Sequence, residues 1–115
     1  MQSPITTHVL DTSRGCPAEG IRVILSFLAE ASQWTQLSEN VTDDDGRISD
    51  LLPINYPLKP GTYRITFEVE SYFERHGQPA FYPTISVVFS LAKPEAHYHV
   101  PLLLNPFGYS TYRGS

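Results

Sequence analysis

The chain is poor in cysteine, in positive charge and in long apolar runs, and each shortage removes a class of protein. Of 115 residues only Cys16 carries a thiol, so no disulfide can form within them, the fold must rest on burial, and a reducing, cytoplasmic location is expected. Eight Lys and Arg against twelve Asp and Glu leave a formal net charge of −4. Nucleic acid and anionic membrane surfaces are therefore not expected partners, because either needs a concentrated positive field. No apolar run approaches the roughly 18 residues of a membrane-crossing helix. Met1-Gln2-Ser3-Pro4 lacks a basic segment leading into an apolar one, and Arg113-Gly114-Ser115 is not a peroxisomal address of the Ser-Lys-Leu type. Neither export nor anchoring is expected.

What is present is alternation. From Thr62 to Glu70, Tyr63, Ile65, Phe67 and Val69 share one face while Thr62, Arg64, Thr66 and Glu68 share the other, the period of a half-buried strand. Ile85, Val87, Phe89 and Leu91 repeat it, and Ile21 to Glu30 places Val23, Leu25 and Phe27 together. Thr6 to Leu10, Trp34 to Thr42, His97 to Leu104 and Tyr109 to Tyr112 complete the set, with turns at Gly15-Cys16-Pro17, Asp44-Asp45-Gly46, Lys59-Pro60-Gly61 and Asn105-Pro106-Phe107-Gly108. Only Ser71 to Gly77 suits a helical turn or two. The expectation is an all-β chain: one domain over residues 1–115, an antiparallel β-sandwich of about eight strands with one short helix.

The same alternation sorts the polar residues. Tyr98, Val100, Leu102 and Leu104 suit the core, which turns His97, His99, Pro101 and Leu103 outward. If Ile5, Thr7 and Val9 face inward, Thr6, His8 and Leu10 face outward. Histidines among Leu10, Pro101 and Leu103 make an outer face too apolar for free solvent, which suggests a symmetric oligomer with a site at its seam. The ending Tyr112-Arg113-Gly114-Ser115 adds an aromatic ring, a guanidinium and a hydroxyl, groups able to stack on, grip and hydrogen-bond a flat polar ligand.

Three sets of residues carry a resemblance to a known family. They are Ser3-Pro4-Ile5-Thr6-Thr7-His8-Val9-Leu10-Asp11, then Asp45-Gly46-Arg47, and then His97-Tyr98-His99-Val100-Pro101-Leu102-Leu103-Leu104 with Tyr109-Ser110-Thr111-Tyr112-Arg113-Gly114-Ser115. Across its whole length the chain resembles the 5-hydroxyisourate hydrolases, the transthyretin-related enzymes of urate breakdown. Asn105 and Phe107 depart from the Ser and Tyr of the pattern, and Thr84 stands where Glu is common. The resemblance implies a transthyretin-like sandwich of two four-stranded sheets, a homotetramer with active sites in channels between dimers, a small purine-derived substrate and no cofactor. It implies catalytic roles for His8, Arg47, His99 and Ser115, and substrate contacts from His8, Arg47, Tyr112, Arg113 and Gly114.

Those residue types suit the implied reaction. Opening a planar, electrophilic ring amide requires an activated water and a place for charge developing on oxygen. A histidine pair, His8 and His99, can supply base and acid in an order that residue types alone do not decide. Arg47 presents a planar fork of donors to an anionic edge. Without the resemblance, Asp43-Asp44-Asp45-Gly46-Arg47 reads as a solvated turn; it is not a calcium loop, since Val41 and Leu52 occupy positions that need Asp and Glu. Two other readings stay open: a zinc hydrolase using His8, His97 and His99, and a transthyretin-type carrier that binds without converting.

Overall fold

The computed structural model describes residues 3–114. Its strands, in chain order, are β1 (Ile5–Asp11), β2 (Cys16–Pro17), β3 (Arg22–Ala29), β4 (Gln33–Val41), β5 (Arg47–Ile48), β6 (Gly61–Glu68), β7 (Thr84–Leu91), β8 (Tyr98–Asn105) and β9 (Gly108–Thr111), with a single-turn 3-10 segment at Glu30–Ser32 and one helix, α1 (Glu70–Arg75). They form two sheets. One runs β2-β1-β8-β9 with β5 also paired to β1, and the other runs β4-β3-β6-β7.

The expected alternation is the one that folds. Ile5 and Val9 of β1, Val100, Leu102 and Leu104 of β8, Val23 and Leu25 of β3, and Tyr63, Ile65 and Phe67 of β6 are buried in one shared core. Full burial of a side chain of this size is worth about 1.5–3 kcal/mol, and a one-residue slip in any of these strands would turn its apolar set to solvent. The helix falls within a residue or two of its expected place and buries Tyr72 and Phe73.

Two features were not readable from periodicity. β2 and β5 are two residues each, too short to alternate; β2 falls inside a segment that reads as a turn and β5 begins at the end of another. The other feature is the direction of β8. The remaining ladders are antiparallel, but β1 and β8 run parallel, with Thr6 beside His99 and His8 beside Pro101. This pairing joins the two ends of the chain and lays the outward residues of β1 next to those of β8.

Candidate active site

The site begins with a tight turn. Asp43 Oδ1 accepts the backbone N–H groups of Asp45 and Arg47, both at 2.9 Å, and Gly46 adopts φ +73°. A β-carbon at Gly46 would run into the carbonyl oxygen of Val9, so the turn needs glycine for its conformation and for the close approach. The turn delivers Arg47 into β5, directly opposite His8 on β1. Gly46→Ala is expected to lower stability by about 2 kcal/mol or more, read from denaturant unfolding, and to disturb Arg47 along with the turn.

Thr6, His8, Arg47, His97 and His99 then share the outer face of the first sheet. Arg47, His97, His99 and Thr6 line a groove of about 510 Å³ with Ser3, Ser49, Asp50 and Ile54, a volume within the usual range for small-molecule sites. Ser49, Asp50 and Ile54 carry no sequence signal beyond following Arg47 in the chain. His8 Nε2 lies 2.9 Å from the carbonyl oxygen of Asp45. A carbonyl can only accept, so this nitrogen carries a proton.

His99 is half-buried beside the groove. Burial, followed by repulsion from the protonated forms of His8 and His97 and from the Arg47 guanidinium, holds its imidazole below the ordinary histidine value, because each of these disfavours the charged ring. Near neutral pH it is a neutral base. His99 Nδ1 is 2.8 Å from Thr6 Oγ1, and among the described residues Nε2 has no hydrogen-bond partner.

The C-terminal residues divide. Gly114 forms an isolated bridge with His99, its N–H donating to the His99 carbonyl at 2.8 Å. A β-carbon there would sit 2.6 Å from His99 Cδ2, so glycine is what lets this segment lie against the His99 ring. Tyr112 and Arg113, expected as substrate contacts, are not brought to this groove within one chain. They line a separate, largely apolar groove of about 300 Å³ with Val87, Phe89, Tyr98 and Val100. The reason is local: the Arg113 guanidinium stacks 4.5 Å above the ring of Tyr98, an inward-facing residue of β8. Ser115, expected among the catalytic groups, lies outside the described residues.

Residues 5–114 match the HIUase/Transthyretin family. The chain belongs to that family. It is 49% identical over 114 residues to mouse 5-hydroxyisourate hydrolase, spanning 98% of this chain and 96% of the relative, and 46% identical to the enzyme of that name from Salmonella dublin, spanning 96% and 80%. Among solved structures it resembles transthyretin from Sparus aurata, with a TM-score of 0.91 at 32% identity over 98% of this chain and 97% of that one. It also resembles Klebsiella pneumoniae 5-hydroxyisourate hydrolase, with a TM-score of 0.82 at 38% identity over 98% and 94%. Within the HIUase/Transthyretin family, then, the backbone does not separate enzyme from carrier; the side chains on the outer face have to.

One substitution tests the join between chain end and site. Gly114→Ala should leave the sandwich folded, since the contact is outside the core, yet displace the His99 ring and lower turnover by about tenfold. Steady-state kinetics beside a thermal melt would separate the two effects.

Proposed function

We propose that the chain hydrolyses 5-hydroxyisourate to 2-oxo-4-hydroxy-4-carboxy-5-ureidoimidazoline, a step of urate catabolism. The observation that carries this reading is the pairing of a neutral, half-buried His99 with the Arg47 guanidinium across one groove, in a chain similar over nearly its full length to proteins bearing that enzyme's name. A carrier has no use for an imidazole held unprotonated beside a guanidinium.

Each group has one task. His99 Nε2 takes a proton from water as the oxygen attacks the ring carbonyl carbon. Arg47 receives the charge that gathers on the carbonyl oxygen, its fork of donors meeting an anion in a groove partly withdrawn from water. The carbon–nitrogen bond then breaks, leaving a carboxylate, and His8, acting as an imidazolium, gives its Nδ1 proton to the departing ring nitrogen while its Nε2–H stays on the Asp45 carbonyl; the proton that His99 took from water returns through solvent to recharge His8 for the next turnover. Gly114 steadies His99. Tyr112 and Arg113 are substrate contacts only if a neighbouring subunit brings them to another chain's groove, and Ser115 keeps its proposed catalytic role.

A homotetramer supports that arrangement. Leu103 remains half-exposed on the outer face, and Tyr112 is 58% and Val88 57% exposed, so apolar surface is available for subunit contact. The proposed location is the cytoplasm; among the described residues no helix is long and apolar enough to cross a membrane. The three-histidine zinc arrangement is disfavoured by geometry, because both ring nitrogens of His97 are engaged by Thr6 and the Ser3 carbonyl. Incubation with a chelator should leave the rate unchanged. Carbon NMR of the reaction identifies the product directly: the ring-opened ureidoimidazoline should accumulate at once with protein present, and its failure to do so would overturn the assignment.

A further inference from the structure

Three contacts behind His99 form a chain with a direction. His97 Nδ1 lies 2.8 Å from the Ser3 carbonyl oxygen, His97 Nε2 lies 3.2 Å from Thr6 Oγ1, and Thr6 Oγ1 lies 2.8 Å from His99 Nδ1. The far end is fixed, since Ser3 is only 3% exposed and its hydroxyl donates to the Leu52 carbonyl at 2.7 Å. A carbonyl oxygen has no proton to give, and that asymmetry propagates. His97 Nδ1 must be the donor to Ser3. With His97 neutral, its Nε2 holds only a lone pair, so the single hydroxyl proton of Thr6 points toward it. Thr6 Oγ1 is then left with lone pairs toward His99, and His99 Nδ1 must carry the proton of that contact. Neutral imidazole has one proton, so Nε2 is an acceptor.

We infer that Thr6 and His97 are positioning residues that set the tautomer of His99, presenting its unprotonated Nε2 to the groove. This rests on the proposed role of His99 as base toward water, and it supplies the free lone pair at Nε2 which that role requires. Neither Thr6 nor His97 touches the reacting atoms. The parallel register makes the arrangement possible, because Thr6 stands directly beside His99. An ordinary serine or threonine hydroxyl would be indifferent to direction; here the backbone carbonyl at the end of the chain decides it. Reversing the chain would require a proton on both nitrogens of His97, and would turn the groove nitrogen of His99 into a donor.

The first test needs no substrate. Long-range proton–nitrogen NMR of the ring-labelled, substrate-free protein at neutral pH distinguishes the two imidazole tautomers, and His99 should appear with Nδ1 protonated. A His99 protonated at Nε2 overturns the inference. The second test is kinetic. Thr6→Val keeps the branched shape of a strand residue but cannot bond, so kcat should fall by about tenfold or more while KM stays within about twofold. Thr6→Ser should restore kcat to within about threefold of the parent, because the hydroxyl alone carries the effect. His97→Phe should behave like Thr6→Val, as the released hydroxyl is then free to donate to His99. A folded Thr6→Val protein with parental kcat would contradict the relay. If the parent protein does not hydrolyse hydroxyisourate at all, the proposed function fails, and the tautomer measurement still decides the relay by itself.

Discussion

Replacing His99 with asparagine is expected to lower kcat for hydroxyisourate by about 10²-fold to 10⁴-fold, the scale for loss of a positioned general base. Asparagine can keep a hydrogen bond to Thr6 and fits beside Gly114, so the sandwich should remain folded and KM should change little. What disappears is the lone pair at Nε2. The pH dependence gives a second reading of the same residue in the parent enzyme. Because burial and the fields of His8, His97 and Arg47 lower the affinity of His99 for a proton, the neutral base persists into more acidic solution than an ordinary histidine. The acid limb of kcat/KM, which reports the free enzyme, should therefore lie below about pH 6.5, the unperturbed value. Removing the Arg47 charge should move that limb upward.

Arg47→Lys is expected to reduce kcat by about 10²-fold to 10³-fold, comparable with loss of an oxyanion donor. The backbone at this position is held by its N–H to Asp43 and by pairing with β1, neither of which depends on the side chain, so the fold should be preserved. Lysine keeps the charge near His99, and the acid limb should stay where it is while the rate falls. A lysine variant with nearly parental kcat would show that Arg47 contributes only a field and not the planar fork of donors.

Much of this site could be read from residue spacing, and the rest could not for physical reasons. Period-two alternation placed His99 of β8 and His97 just before it on one face, and Thr6 and His8 on one face of β1, because the buried partners Val100, Leu102, Ile5 and Val9 leave no other register. Alternation says nothing about which strands are neighbours. That β1 lies parallel to β8, and that Thr6 thus meets both histidines, depends on contacts between opposite ends of the chain. Taken alone, the turn at Asp43 to Arg47 reads as solvated surface, and only the family resemblance assigns Arg47 a role; why the turn needs glycine, the approach of Gly46 to Val9, is encoded by no local pattern. The C-terminal segment shows the opposite case. Its residue types pointed to a site, yet beyond β9 the strand geometry ends, and stacking on Tyr98 takes Arg113 away from the groove while Gly114 stays against His99.

Hydrolysis is tested most directly by the ultraviolet decay of freshly generated 5-hydroxyisourate at neutral pH, followed with and without the purified protein. Decay should accelerate in proportion to catalytic amounts of protein and return nearly to the buffer rate when His99→Asn protein, folded by its thermal melt, is used at the same concentration. Decay at the buffer rate with the parent protein would contradict the proposed hydrolysis, leaving the family fold in place as a binding scaffold without this chemistry.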